Sequence, residues 1–245
     1  MRTRLDLEMT RRGLAESREA AQRLIMAGRV RVSSRPASKA DLKVDAETDI
    51  AVIGAASEYA SRGGYKLAAA IDHFQVDVAG RRALDVGAST GGFTDVLLRR
   101  GAASVIALDV GYGQLAEKLR RDPRVIVMDR TNIRNVTPTH LPYAPDLITI
   151  DASFISLRLI LPAVIALAAP NAEIIALVKP QFEVGKGKVG KGGIVRDAAL
   201  RQEALDGILA FARDTGLEVI GAIESPIHGA AGNIEYLALL KKTSA

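Results

Sequence analysis

A glycine-rich turn within residues 82–95 places the strongest constraint on how this chain folds. The segment reads Arg-Ala-Leu-Asp-Val-Gly-Ala-Ser-Thr-Gly-Gly-Phe-Thr-Asp, so a short apolar run gives way to glycines and then to a helical pattern. An apolar run of this length predicts a buried parallel strand, and glycines let a backbone approach a ligand without a clash at Cβ. The segment therefore predicts a strand, a tight loop and a helix N-terminus that bind a cofactor. The alternative is a glycine-rich turn without a ligand.

The spacing of this turn differs from the dinucleotide-binding fingerprint. Gly87, Gly91 and Gly92 follow the pattern Gly-x-x-x-Gly-Gly instead of G-x-G-x-x-G. The strand before them ends in Asp85, which would repel a pyrophosphate but could accept hydrogen bonds from an amino group. Asp109 closes the next apolar run, where acids of nucleoside-binding α/β folds accept hydrogen bonds from ribose hydroxyls. A third strand-end acid, at 129, is either near an adenine or a solvated strand cap.

Apolar runs alternate with helical patterns from residue 65 onward. This alternation predicts a doubly wound α/β sheet. The predicted strands cover 83–86, 104–109, 125–129, 146–151, 173–178, 217–223 and 234–240, and the predicted helices cover 65–74, 92–100, 114–121, 156–169 and 197–215. We expect the last two strands to form a hairpin that completes the sheet.

The composition excludes several classes of protein. The 245 residues suffice for one large domain or two unequal ones, and the absence of cysteine excludes a disulfide scaffold and Cys-ligated zinc. We predict no metal site. The longest apolar stretch, 159–170, contains a proline and is shorter than the roughly 20 residues of a membrane span. Because the charged N-terminus also differs from a secretory signal, we expect a cytoplasmic protein without a membrane partner.

The excess positive charge lies near the N-terminus. Residues 1–43 contain eleven Lys and Arg against five Asp and Glu, whereas the remainder contains 22 against 23. Such an imbalance favours an anionic partner, although a basic surface that only faces solvent would look the same. We therefore expect a small basic domain over 1–53, a linker over 54–64 and a larger domain over 65–245.

The N-terminal segment predicts a helix–helix–strand module. Helical spacing covers 4–12 and 17–27, and apolar alternation at 29–32 and 49–53 indicates two paired strands. The motifs Arg-Leu-Asp, Arg-Gly-Leu-Ala-x-Ser-Arg and Gly-x-Val-x-Val resemble the small α+β RNA-binding domain named after a ribosomal small-subunit protein. The resemblance implies that basic side chains of this module contact phosphates. The residues assigned to this role are Arg4, Arg11, Arg12, Arg18, Arg23 and Arg29.

A loop rich in glycine and lysine is predicted at 181–193. It interleaves Lys186, Lys188 and Lys191 with five glycines, and it lacks the Gly-Lys-Ser/Thr sequence of a P-loop. One interpretation is a mobile basic flap over a nucleic-acid substrate, with Lys186 and Lys188 on the RNA. The other interpretation is a plain surface loop.

Four charged residues are predicted at the same edge of the sheet. Lys66 precedes the first strand, Asp151 ends the fourth, Lys179 follows the fifth, and Glu235 lies beside the turn before the last. Because open α/β sheets bind ligands beyond the C-terminal ends of their strands, these side chains should converge beside the cofactor. Each of them alone would be interpreted as a solvated strand cap. In this order they resemble the Lys-Asp-Lys-Glu tetrad of FtsJ-type ribose 2′-O-methyltransferases.

Further motifs extend the resemblance to the whole chain. Together with the N-terminal module, the segments at 61–67, 85–95, 151–157, 178–183 and 232–236 resemble the TlyA/hemolysin-A family of ribosomal RNA methyltransferases. The resemblance implies a Rossmann-like methyltransferase sheet, S-adenosylmethionine as cofactor, and ribosomal RNA or a ribosomal subunit as partner. It implies neither the nucleotide that is methylated nor an oligomeric state.

The same resemblance assigns the cofactor-binding residues. In S-adenosylmethionine-dependent methyltransferases the glycine loop wraps the methionine part of the cofactor, and the acid of the next strand binds its ribose. The positions that correspond are Asp85, Gly87, Ser89, Gly91, Gly92, Phe93, Asp109 and Asp129.

The lysine pair suits methylation of a hydroxyl. A ribose hydroxyl is a poor nucleophile, so its proton must be weakened or removed as the methyl group transfers. A partly desolvated lysine near a second cation loses its proton more readily, which favours Lys179 beside Lys66 as the activating group. Two rival functions are a membrane-damaging hemolysin and an RNA-binding protein with an inactive methyltransferase domain. The sequence shows no amphipathic pore segment, and its complete tetrad argues against an inactive domain.

Overall fold

The computed structural model describes residues 2–26, 28–33, 35–37, 39–53, 58–185, 187–229 and 232–243. The chain divides into two units between Glu58 and Tyr59. This division lies inside the range 54–64 that the sequence suggested as a linker. Residues 54–57 lie outside the described part, whereas 59–64 belong to the larger unit because a helix already begins at Gly63. The linker bounds of 54–64 stay a prediction.

The smaller unit is a small α+β module, as predicted. The elements are β1 (Thr3–Arg4), α1 (Leu5–Arg11), α2 (Arg18–Met26), β2 (Val30–Val32), β3 (Arg35–Pro36), β4 (Lys43–Val44) and β5 (Ile50–Val52). Helix α2 begins after Ser17, whose hydroxyl accepts a hydrogen bond from the backbone N–H of Ala20. Strand β2 pairs antiparallel with β3 and β5, and β1 pairs antiparallel with β4. The pairing of β2 with β5 confirms the predicted strand pair, whereas β1, β3 and β4 were not predicted.

The larger unit alternates helices and strands. Three 3₁₀ helices at Ile133–Asn135, Pro138–His140 and Leu157–Leu159 supplement its α-helices within the described residues. The regular elements are α3 (Gly63–Phe74), β6 (Arg82–Val86), α4 (Gly92–Arg99), β7 (Ser104–Leu108), α5 (Glu117–Arg120), β8 (Val125–Met128), β9 (Leu147–Ile150), α6 (Leu161–Leu167), β10 (Glu173–Val178), α7 (Pro180–Glu183), α8 (Ala198–Asp214), β11 (Leu217–Glu224) and β12 (Tyr236–Lys242).

These strands form one sheet in the order β11-β12-β10-β9-β6-β7-β8. Strands β6 to β10 are mutually parallel, and β12 joins antiparallel to both β10 and β11. The doubly wound sheet and its terminal hairpin confirm the predicted fold class. Because the chain moves outward from β6 to β8 and then continues on the other side at β9, the order reverses between β6 and β9. Ligands of open α/β sheets bind at such a reversal.

Side chains alternate between the two faces of this sheet. Leu84 and Ile148 pack with α6 and α8 on one face, whereas Ala83 and Leu147 pack with α3 and α4 on the other. All four are fully buried, which explains why the strands read as continuous apolar runs. The sheet therefore holds its strand tips at fixed positions between two layers of helices.

Two predicted helices are shorter in the structure. The pattern at 156–169 divides into the 3₁₀ helix and α6, because Pro162 lacks an N–H and fits only in the first turn of a helix. The helix predicted at 114–121 is reduced to the four residues of α5. No helix in the described ranges combines the length and apolar character that crossing a membrane requires.

Candidate active site

The glycine turn lies at the reversal of strand order, between the tips of β6 and β9. Gly87 has φ +85°, and a Cβ placed on it would lie 2.5 Å from the carbonyl oxygen of Asp151. The backbone N–H of Asp151 donates to Val86 O at 2.9 Å. Only a residue without a side chain fits this contact, so the glycine brings the turn against the tip of β9.

The four tetrad residues form two buried ion pairs. Lys66 Nζ on α3 lies 2.5 Å from Glu235 Oε2, and Lys179 Nζ before α7 lies 2.6 Å from Asp151 Oδ1. Lys66, Lys179 and Glu235 are more than 90% buried. The structure therefore unites the four residues that the sequence placed at one edge of the sheet.

Neighbouring contacts join the two ion pairs into one site. Val178 pairs with Tyr236 across β10 and β12, so the adjacent Lys179 and Glu235 lie at the same sheet edge. Gln181 Nε2 lies 3.5 Å from Glu235 Oε1. A Cβ placed on Gly63, in the first turn of the helix that carries the other lysine, would lie 3.7 Å from a carboxylate oxygen of Asp151.

Lys179 has a second partner that the sequence did not reveal. Its Nζ donates to Ser153 Oγ at 2.8 Å as well as to Asp151. The tetrahedral Nζ is covalently bonded to Cε and hydrogen-bonded to two acceptors, which leaves one direction for a further hydrogen bond. Within the part of the chain that the structure describes, no hydrogen-bond partner occupies this direction, so it is available to a substrate hydroxyl.

The Asp85 side chain is enclosed by threonine hydroxyls. Asp85 is fully buried, and its two carboxylate oxygens accept hydrogen bonds from Thr94 Oγ1 at 2.6 Å and Thr149 Oγ1 at 3.0 Å. Burial raises the pKa of Asp85 to about 7, the nearby charge of Asp151 adds to this, and the two hydroxyl donors offset part of the rise. The carboxyl ties β6 to α4 and β9, and its assignment to the cofactor stays a prediction.

Asp109 instead presents a carboxylate beside the turn. Its two oxygens accept hydrogen bonds from the backbone N–H groups of Ser89 at 2.8 Å and Gly111 at 2.7 Å. A carboxylate has about four acceptor positions, so two remain for ribose hydroxyls. Val110 and Tyr112 follow it with about 70% of their surfaces exposed. This arrangement fits the nucleoside part of a cofactor.

The remaining cofactor candidates lie at or near the same turn. Ser89 has φ +47°, and Gly91 caps α4 with φ +93°. Gly92 begins α4, and a Cβ placed on it would meet Ser61 Oγ and lie 3.0 Å from the backbone nitrogen of Gly64. The Phe93 side chain lies in the core and is only 3% exposed, so any cofactor contact must come from its backbone.

Asp129 is ion-paired instead of solvated. Its Oδ2 accepts hydrogen bonds from the Gly113 N–H at 3.1 Å and from Arg120 at 2.9 Å. Although partial burial alone would raise its pKa, these donors lower it. Arg130, the next residue, lies over the exposed Tyr112 ring with its Cζ 4.2 Å from the centroid. An exposed aromatic and a carboxylate thus lie beyond the tip of β8.

An exposed aromatic side chain lies beside the tips of β9 and β10. Phe154, three residues after Asp151, is 92% exposed and has φ +63°. Its ring contacts Phe182 with centroids 5.3 Å apart, and Phe182 lies 6.0 Å from Lys179 Nζ. A non-glycine residue in the left-handed region is strained, so the surrounding contacts must hold it there.

Four of the arginines assigned to RNA are held inside the smaller unit. Arg4 and Arg18 bind the fully buried Asp6, each at 3.0 Å. Arg11 and Arg12 bind Glu8 at 2.6 and 2.7 Å, and Arg12 also donates to backbone carbonyls at 45, 46 and 48. The net charge of residues 1–43 already counts both acids, so these ion pairs leave it unchanged and instead reduce the number of arginines without an intramolecular partner.

The other basic candidates differ from one another. Arg23 is exposed and forms no hydrogen bond or ion pair with the described residues. Arg29 donates to Ile53 O at 3.2 Å. Lys188 pairs with Glu203 on α8 at 2.9 Å, and the placement of Lys186 lies outside the described residues. For the loop at 181–193, a basic flap over a nucleic-acid substrate and a plain surface loop therefore both stay predictions.

Sequence reasoning missed three polar residues of this site: Ser153, Gln181 and Glu183. All three belong to motifs at 151–157 and 178–183 that carried the family resemblance. Glu183 follows Lys179 by four residues, the spacing that places two side chains on one side of a helical turn. That spacing was the available signal.

The fold and the site together define a class. The chain has a mostly parallel sheet, a glycine turn at its switch point, an acid at the next strand tip and two Lys–carboxylate ion pairs. Together these features are typical of the Rossmann-like methyltransferases. The sequence-family model of the FtsJ-like methyltransferases matches residues 59–242, and the sequence-family model of the S4 domain matches residues 3–50.

Similar proteins narrow this class. The chain is 50% identical to the 16S/23S rRNA (cytidine-2′-O)-methyltransferase TlyA of Mycobacterium tuberculosis, over 98% of this chain and 90% of the relative. It is 42% identical to hemolysin A of Brachyspira hyodysenteriae, over 96% and 98% of the two chains. A solved structure named as a hemolysin from Streptococcus thermophilus superimposes with a TM-score of 0.79 at 43% identity, covering 100% and 90%. The chain belongs to the TlyA/hemolysin-A family of FtsJ-like methyltransferases with an S4 domain, which confirms the resemblance in the motifs.

Proposed function

We propose that this protein transfers a methyl group from S-adenosylmethionine to a ribose 2′-oxygen of ribosomal RNA. The observation that carries the proposal is the convergence of the Lys66–Glu235 and Lys179–Asp151 ion pairs beside the Gly87 turn. The TlyA relative of M. tuberculosis is named for cytidine-2′-O-methylation of 16S and 23S rRNA, which supports the same reaction and a cytidine target here.

The residues of the crevice fit this cofactor. Asp109 retains acceptor positions for its ribose hydroxyls, and the turn after β6 has positive φ at Gly87, Ser89 and Gly91. We assign Asp129 and Tyr112 to its adenine, because a carboxylate and an exposed ring lie beyond the tip of β8. When bound, the cofactor supplies a methyl group on a positively charged sulfur.

Lys179 acts on the ribose hydroxyl. Asp151 and Ser153 fix its Nζ in two directions, so the third bonding direction points to a defined place. A neutral Nζ in this geometry would accept the proton of the 2′-hydroxyl while that oxygen bonds to the methyl carbon, whose bond to the cofactor sulfur would break with its electron pair left on sulfur. Asp151 then stabilises the resulting ammonium group, and water carries the proton away.

Lys66 and Glu235 form the opposite side of the site. Their pair is almost fully buried, and Gln181 adds a donor to the second carboxylate oxygen. A buried ion pair holds its two groups in one geometry and resists salt. We assign the Lys66–Glu235 pair to orienting the ribose, because the position of this pair is fixed independently of the Lys179–Asp151 pair.

The smaller unit holds the RNA in this proposal, and the larger unit performs the transfer. Residues 3–50 match the S4 domain, and the exposed Arg23 lies on its second helix. We place the boundary of the two functions at Glu58 and the reaction in the cytoplasm, where ribosomal RNA is found.

The test uses the full chain, methyl-labelled S-adenosylmethionine and ribosomal subunits that lack the modification. We expect label in the RNA and recovery of a 2′-O-methylated nucleoside after digestion. Lys179→Ala should bind the cofactor normally but lose about 10² to 10⁴ in rate. Lys241→Ala is the matched control, because Lys241 lies near the end of β12 that is farther from Tyr236 and the site. This variant should transfer the methyl group at the normal rate. Label in a base instead of the ribose would contradict the proposal.

A further inference from the structure

The segment after β9 and the helix after β10 are joined by a clamp of three contacts. We define the clamp as Lys179, Phe182 and Glu183 on one side and residues 151–157 on the other. Phe182 and Glu183 follow Lys179 by three and four residues, so one side of α7 faces the segment. The first two contacts are the Lys179 bonds to Asp151 and Ser153 and the Phe154–Phe182 ring pair.

Glu183 forms the third contact. Its Oε2 accepts a hydrogen bond from Ser156 Oγ at 2.6 Å, and its Oε1 accepts one from the backbone N–H of Leu157 at 2.9 Å. No cation forms an ion pair with this carboxylate among the described residues. Burial raises the pKa of Glu183, with the two donors offsetting part of the rise.

The first and third contacts enclose a strained residue. Phe154 has φ +63° and lies between Ser153, which Lys179 holds, and Ser156, which Glu183 holds. Such a conformation persists only where the surroundings determine it. Without the Glu183 contact, the segment can relax, and Ser153 then moves relative to Lys179.

We propose that Glu183 is a positioning residue for methyl transfer: it fixes residues 153–157 so that Ser153 holds the Lys179 Nζ in its reactive direction. This inference rests on the proposed function of Lys179. Glu183 itself touches no reacting atom, and it acts through Ser153. Misplacement of a reacting group by about 1 Å costs on the order of 10²-fold in rate.

A cycle of variants tests this route of action. We expect Glu183→Ala and Ser153→Ala each to lower the single-turnover rate about 10- to 100-fold, with the loss in Glu183→Ala no larger than that in Ser153→Ala. If Glu183 acts through Ser153, the double variant should be no slower than Ser153→Ala within a factor of about two, because contacting residues are not additive. Multiplication of the two losses would overturn the inference.

A conservative variant separates hydrogen bonding from charge. In Glu183→Gln the amide oxygen can still accept from Leu157 N–H, and the Ser156 hydroxyl can accept from the amide N–H. We expect its rate within about threefold of the unchanged protein, with cofactor Kd unchanged in every variant. A loss as large as that of Glu183→Ala would contradict a hydrogen-bonding clamp. Asp206→Ala removes an exposed carboxylate of α8 and is the matched control.

Amide hydrogen exchange supplies a readout that does not depend on activity. The Leu157 N–H should exchange faster in Glu183→Ala and normally in Glu183→Gln. Unchanged protection of this amide in Glu183→Ala would overturn the inference even if that variant were slow. Failure of the proposed function would look different, since the unchanged protein would then transfer no methyl group to a ribose.

Discussion

Replacing Asp85 with Asn should alter how stability depends on pH. Burial raises the pKa of Asp85 to about 7 from the ordinary 3.8 of an aspartate, and the charged form is therefore disfavoured in the folded state. A raised carboxyl pKa contributes stability that is fully present below about pH 4 and is lost as the pH rises through 7. A shift of about three pKa units at 1.36 kcal/mol each amounts to about 4 kcal/mol, most of it lost between pH 4 and pH 7.

Asparagine resembles the protonated acid in shape and carries no charge. It can donate to one threonine hydroxyl and accept from the other, so Thr94 and Thr149 keep partners. The free energy of unfolding of Asp85→Asn minus that of the unchanged protein should increase by about 2 to 3 kcal/mol between pH 5 and pH 8. Urea unfolding of the cofactor-free chain, followed by circular dichroism at several pH values, measures this difference for the transition of the larger unit.

Asp95 on the same helix as Thr94 is the matched control. It is 5% exposed, and although burial alone would raise its pKa, hydrogen bonds from Lys118 and Arg99 lower it. Its stabilising contribution is therefore present above about pH 4 and is lost only in acid. Asp95→Asn should lose stability by a constant amount between pH 5 and pH 8. A constant difference for Asp85→Asn as well would refute the reasoning about the buried carboxyl.

Three further changes have expected outcomes. Gly87→Ala should lower the free energy of unfolding by more than about 2 kcal/mol, because its Cβ would meet the tip of β9. Gly80 also has a positive φ but open space around it, so Gly80→Ala should lower the free energy of unfolding by only about 1 kcal/mol, from backbone strain. Asp109→Ala should weaken cofactor binding in calorimetry by about 1 to 3 kcal/mol, and unchanged affinity would exclude its ribose contact. Arg23→Ala should reduce the slope of the logarithm of the RNA association constant against the logarithm of salt concentration by about 0.7 to 0.9. Arg12→Ala should mainly lower the melting temperature of the protein. Equal effects of the two variants on the slope would contradict an RNA contact by Arg23 and a structural role for Arg12.

The sequence predicts the sheet and the tetrad because both depend on strand ends. Buried parallel strands read as apolar runs, and the acids that follow them mark where the runs stop. Asp151 and Lys179 therefore lie where their spacing suggested. Which lysine pairs with which carboxylate depends on side-chain positions at α3, β9, β10 and β12, which no local pattern records.

Two local patterns could have refined the sequence analysis. Asp85 follows Ala83 by two positions and so points to the same buried face of the strand, where Thr94 and Thr149 bind its carboxyl. Glu8 lies three residues from Arg11 and four from Arg12, a spacing that pairs opposite charges along a helix. The net charge of the N-terminal segment counts such acids, but it does not show which arginines they bind.

The central claim is that the Lys179 site acts on a ribose 2′-hydroxyl. Single-turnover transfer to ribosomal RNA in which only the target nucleotide carries 2′-deoxyribose tests it most directly, since that RNA binds but offers no hydroxyl. We expect no label in the deoxy substrate and full label in the matched ribose substrate. Label in the deoxy substrate at the normal rate would contradict the account, because the methyl group would then have reached another atom.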